Sequence, residues 1–169
     1  MSSQPDFSIR RLTRAALLTA IALTIFMAEA QLPAPIPIPG VKLGLANIIT
    51  VYAMYILGPG DTLMILISRI FLGAVFSGQM MTLLYSLGGG LSCFAAMLIL
   101  RRLLSKEQLW LASPLSAIFH NLGQILVAAA VMRTWVVISY LPYLVLSGIC
   151  SGLFTGLCTQ FLIRRLNKI

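Results

Sequence analysis

Acidic residues are scarce in this chain: only four Asp and Glu occur among 169 residues. They are Asp6, Glu29, Asp61 and Glu107, and no two lie near each other in sequence. Holding two or three magnesium ions against a diphosphate takes grouped carboxylates, so that chemistry has no ligand set here. The chain also has no HExxH, no P-loop and no nucleophile elbow. These absences exclude the commoner hydrolytic and nucleotide-hydrolysing designs. We therefore expect a protein that is not an enzyme and needs no metal or cofactor, and any energy for active transport would have to come from another subunit. The three cysteines, Cys93, Cys150 and Cys158, are an odd number without paired metal-ligand spacing. They read as small core residues rather than a disulfide framework.

Charge of either sign is sparse, at 9% of residues, against 59% apolar. The mean hydropathy of +0.97 lies well above a soluble domain's range and marks an integral membrane protein. The net charge of +8 does not point to nucleic acid, because the basic residues stand at the ends of apolar runs and are not interleaved with aromatics. They are topology signals.

Apolar runs long enough to cross about 30 Å of hydrocarbon recur along the chain and predict six helices, over residues 12–29, 43–57, 62–77, 81–100, 114–132 and 140–163. The expected architecture is an all-α membrane bundle of six transmembrane helices. It comprises a cytoplasmic N-terminal segment over residues 1–11 and one transmembrane domain over residues 12–169. Gly58-Pro59-Gly60-Asp61 reads as a tight turn, Ser113-Pro114 as a helix cap followed by proline at the first helical position, and Gly88-Gly89-Gly90 as a place where the fourth helix loosens or kinks. Arg10, Arg11 and Arg14 before an apolar run, with Ala28-Glu29-Ala30 after it, imitate a secretory signal. Five further spans need a first one to set their direction, which favours an uncleaved helix.

The positive-inside rule orients the bundle. With the N-terminus inside, Arg10, Arg11, Arg14, Arg101, Arg102, Lys106, Arg164, Arg165 and Lys168 are cytoplasmic, whereas only Lys42 and Arg133 face out. Both termini are therefore cytoplasmic. The loop between the first two helices is extracytoplasmic.

That loop carries proline at every second position, Pro33, Pro35, Pro37 and Pro39, followed by Gly40. Proline fixes φ near −65° and lacks an N–H, so this stretch is stiff, extended and unable to join a helix. It reads as a lid, because polar residues gather on the same side. Glu29 ends helix one, Lys42 and Asn47 open helix two, Arg69 lies mid-way along helix three, and helix five carries His120, Asn121 and Gln124 in the run HNLGQ. Charged groups at mid-membrane are expensive unless paired or hydrated and usually face the bundle interior or a cavity. Glu29 and Arg69 form the expected ion pair. Lys42 and Arg69 outnumber Glu29, so the expected ligand is a small anionic or amphiphilic metabolite.

Small residues form two stripes: Ala16, Ala20 and Thr24 on helix one, and Gly148, Gly152 and Gly156 on helix six. Both permit close backbone approach. The glycines read as internal packing, and the alanine stripe is open to either packing or a partner.

PGVKLGLANI after the proline loop, the arginine of helix three, LYSLGGGLS in helix four and HNLGQILVA in helix five together resemble the bacterial Gx transporter family, also catalogued as heptaprenyl diphosphate synthase component I. That family is similar to the substrate-binding S components of energy-coupling factor (ECF) transporters. The resemblance implies a six-helix bundle whose outer loop covers a ligand site, and an alanine-x-x-x-alanine pattern, here Ala16 and Ala20, that contacts a transmembrane coupling subunit working with cytoplasmic ATPases. The synthase name implies instead a noncatalytic accessory subunit of a polyprenyl diphosphate enzyme, since the chain lacks the aspartate-rich motifs of a catalytic one.

The charge pattern makes a direct prediction. Alkaline phosphatase fused after Pro39 is expected to be active and after Lys106 inactive. The reverse pattern would invert the topology.

Overall fold

The structure, a computed structural model, describes residues 9–31, 44–78 and 80–166, with residue 82 described by its backbone alone. The proline loop (Pro33, Pro35, Pro37, Pro39, Gly40) and Lys42 lie outside the described residues. Within them the chain forms six α-helices: α1 (Ile9–Gln31), α2 (Asn47–Ile56), α3 (Pro59–Ser77), α4 (Met80–Leu103), α5 (Leu109–Met132) and α6 (Leu141–Leu166). Short 3-10 helices, Lys106–Gln108 and Trp135–Tyr140, lead into α5 and α6. All but α2 are long and apolar enough to cross a bilayer, and the fold is an all-α membrane bundle.

The predicted second span, 43–57, is cut down. Residues 44–46 are a turn, and α2 has ten residues, about 15 Å at 1.5 Å per residue. It therefore fills about half the bilayer's depth. Its end is set by Gly58, whose φ of 102° is a conformation that favours glycine. The Leu57 and Gly58 N–H groups both donate to the Ala53 carbonyl, at 2.9 and 3.0 Å, and Pro59 then opens α3 at a position where no N–H is needed.

The ends of the helices sort onto two faces. Arg11 at the start of α1 pairs with Asp61 at the start of α3, 2.5 Å apart, so these two helices begin on the same face and α2 has carried the chain back to it. The lower part of α2 contributes Val51 and Met54 to a core with Cys93 and Met97 of α4, Leu109 of α5 and Ile163 of α6. A second core joins Ala15 and Ala22 of α1 to Ile49 and Ala53 of α2 and Ile65 of α3. The inner half of the bundle is thus solid around α2. Arg101, Arg102, Arg164 and Arg165, in the last turns of α4 and α6, lie at this same basic end.

Two expectations about breaks are corrected. Helix α5 does not begin at Pro114. It starts at Leu109 and runs through the proline, while the Ser113 hydroxyl, expected as a cap, instead shares a 2.9 Å hydrogen bond with the Thr155 hydroxyl of α6. The triple glycine does not break α4, which is continuous from Met80 to Leu103. Its glycines are contact surfaces: Gly88 meets Val127 and the Gly123 carbonyl, Gly89 meets His120 and Gln124, and Gly90 meets Ile70 and Leu66.

The glycines of α6 work in the same way against α5. Gly148 faces Asn121, Gly152 lies on the Pro114 backbone, and Gly156 lies on the Leu109 carbonyl and Ser113. This stripe is internal packing, whereas Ala16, Ala20 and Thr24 are exposed on the outer surface of α1.

Adding a Cβ at position 152 would drive it into backbone that cannot swing aside. Adding one at Gly78, which has φ 66° and open space around it, meets only the left-handed backbone cost of about 1–2 kcal/mol. Gly152→Ala is expected to lower thermal stability in detergent more than Gly78→Ala. Equal losses would show that the α5–α6 approach is looser than described.

Candidate functional site

Because α2 begins only half-way through the bundle, the space above its N-terminus is hollow. The cavity there measures about 590 Å³ and takes side chains from all six helices, within the range usual for small-molecule sites. It lies in the half of the bundle away from the basic end.

Its floor is Asn47, with Ala46, at the start of α2. From α3, Arg69 enters eleven residues into a nineteen-residue helix, so its Cα is at mid-depth. Helix α5 contributes His120, Asn121 and Gln124, all three facing the cavity. His120 and Gln124 are one turn apart on one face, and a glycine at position 89 leaves the room their side chains occupy. Phe26 and Glu29 close the α1 side, with the Phe26 ring lying 3.1 Å from where a Cβ on Gly73 would be.

Glu29 is 8% exposed, and its carboxylate is fully engaged. One oxygen accepts the Gly44 N–H at 2.6 Å and the other the Leu45 N–H at 3.0 Å. The Glu29–Arg69 pair expected from the sequence is not a direct salt bridge, although Glu29 acts on Arg69 through space. Among the described residues the ion pair found is Arg11–Asp61, and Glu29 serves backbone groups that the shortened α2 leaves without a helical partner.

Arg69 is as deeply buried, at 8% exposure, yet its Nε has no hydrogen-bond partner. The same holds for His120 Nδ1. Buried polar atoms are nearly always satisfied; here both residues line the cavity, while these two nitrogens are themselves covered by protein and mark an incompletely paired stretch of its wall. Asn121 differs from them. Its amide donates to the Leu144 carbonyl of α6, which ties α5 to α6 at the cavity wall.

Several lining residues were not anticipated. Ser147 and Ser151 on α6, Tyr85 and Ser86 on α4, and Tyr140 of the 3-10 helix all face the space. The only signal for the serines is their i, i+4 spacing beside the glycine stripe. Below the floor a void of about 10 Å³, enough for one water, lies among Asn47, Ser113, Ser116 and Thr155. Among the described residues no three His, Cys, Asp or Glu side chains converge as a metal set.

No curated protein sequence and no solved structure matches this chain. The sequence model of one family, described as heptaprenyl diphosphate synthase component I, matches residues 18–162. This stretch holds α2 to α5 complete, most of α1 and α6, and every cavity-lining side chain described above. The chain therefore belongs to the heptaprenyl diphosphate synthase component I family.

Proposed function

We propose that this protein is the noncatalytic, substrate-binding membrane component of an ECF-type transporter, which captures a small anion from the extracytoplasmic side of a bacterial inner membrane. The observation that carries this reading is a buried arginine, Arg69, that lines a cavity built by all six helices beside His120, Asn121 and Gln124 and has no salt bridge among the described residues. A guanidinium at mid-membrane with no carboxylate in direct contact is costly, and an anionic ligand would offset that cost. Glu29, whose oxygens hold Gly44 and Leu45, acts on Arg69 only through space. The exposed Ala16 and Ala20 on α1 are available to a transmembrane coupling subunit, with cytoplasmic ATPases supplying the energy.

A second reading is favoured by the family's description: a membrane accessory subunit of a polyprenyl diphosphate synthase, with the cavity holding a product or precursor. The two readings differ in their partners. Copurification with ATPases and a coupling subunit supports transport, whereas copurification with a soluble prenyl synthase supports the accessory role.

The site itself is tested by mild purification followed by mass spectrometry of small molecules released on denaturation. Wild type and Arg133→Gln, whose change is at the rim, are expected to release a stoichiometric anion, and Arg69→Gln none. Equal release from all three proteins would remove Arg69 from the site. Glu29→Ala is expected to lower thermal stability by about 2 kcal/mol, the scale of hydrogen bonds to a charged group; an unchanged melting temperature would show that the 44–45 turn does not depend on it.

A further inference from the structure

On α3, α5 and α6 the polar part of the cavity wall lies deeper than the apolar part. On α5, which runs from the basic end outward, His120, Asn121 and Gln124 come first and Ile125, Ala128 and Met132 follow toward the mouth. On α6, which runs the opposite way, Leu144 lies toward the mouth and Ser151 deeper. On α3 Arg69 is deepest, with Ile70 and Ala74 above it. Val137 of the 3-10 helix extends the same apolar wall at the top, against Ile125 and Leu144. Glu29 in the last turn of α1, Tyr85 and Ser86 of α4 and Tyr140 of the 3-10 helix also line the cavity, so the apolar wall is one-sided.

This polarity is the reverse of a lipid leaflet. An amphiphile resident in the outer leaflet keeps its charged head at the surface and its tail inward, whereas here the charge-bearing groups are at mid-depth and the apolar wall is near the mouth. A ligand made only of polar groups would leave that wall uncovered, and a wholly apolar one would bring no negative charge to the buried Arg69.

We propose that the cavity takes a water-borne amphiphile head first, with a phosphate or carboxylate head set against Arg69 and His120 and a short apolar body lying along Ile125, Ala128 and Met132. This inference rests on the anion-binding reading above and adds the ligand's class and its direction of entry. The apolar wall from Gln124 to Met132 covers eight helical residues, about 12 Å, which limits the apolar body that the cavity encloses. Each methylene laid against the wall is worth about 0.8 kcal/mol, or about a fourfold gain in affinity.

The test uses the full chain in nanodiscs, with empty nanodiscs as the partition control, and isothermal titration with inorganic phosphate, ethyl, butyl, hexyl and octyl phosphates, the matching alkanoates, and octanol. The expected result is affinity that climbs about fourfold per methylene in whichever series carries the right head, falls at least tenfold in Arg69→Gln, and loses its chain-length dependence in Ala128→Asn while the shortest probe still binds. The tighter of the two series names the head. Chain-length-independent binding that still needs Arg69 would overturn head-first amphiphile binding and leave the anion reading standing. Octanol binding as well as octyl phosphate, in wild type and Arg69→Gln alike, would overturn both, as would failure of every charged probe in the wild type.

Discussion

A backbone that leaves the helix inside a bilayer must still find partners for its N–H groups, and in this protein that requirement falls on one carboxylate. Glu29 accepts from Gly44 and Leu45 where the chain descends into the bundle without yet being helical. By holding that turn, it allows α2 to be ten residues long and to start at Asn47. A full-length second helix would have filled the outer half of the bundle. The cavity lies beyond the N-terminus of α2, where Ala46 and Asn47 line it.

The solidity of the inner half follows from the same arrangement. Short as it is, α2 reaches α1, α3, α4 and α6, placing Ile49 and Ala53 in one apolar cluster and Val51 and Met54 in the other. The α4–α5–α6 wall is drawn together by glycines from both outer members of the trio, with α5 between them. Gly88 and Gly89 bring α4 onto α5, and Gly148, Gly152 and Gly156 bring α6 onto it. Lipid gives helices no hydrophobic reason to associate, so close backbone packing and interhelical hydrogen bonds such as Ser113 to Thr155 carry the cohesion. The bundle can then afford one unpaired guanidinium at mid-depth, because the elements around Arg69 are fixed by contacts that do not involve it.

Much of the site was legible in the sequence for a simple reason. Glu29, Asn47, Arg69, His120, Asn121 and Gln124 are polar residues in helices otherwise built of apolar ones, and hydrocarbon makes such residues expensive enough to be informative. Their partners were not legible. Opposite charge suggested that Glu29 would orient Arg69, but a carboxylate with two unsatisfied N–H groups nearby serves them first. Asn121 lines the cavity as expected and also anchors α6 through the Leu144 carbonyl. Ser147 and Ser151 escaped notice because a serine hydroxyl can bond to its own helix and so carries little cost or signal. Pro114 was misread because a serine followed by proline looks the same at a helix start as within a helix whose neighbour offers hydroxyls.

The sequence by itself determined the class of this protein. Apolar run lengths and the count of basic residues at their ends are local quantities, and they specify a multi-pass helical bundle with a basic end. Only the tertiary structure decided that the second apolar run is half a span, that the outer half is hollow, and that Arg69 and His120 face that hollow with buried atoms unpartnered. Those outcomes depend on which backbone groups compete for one carboxylate and on which glycines admit a neighbour. Both are contests between residues far apart in the chain, and no local pattern records their result.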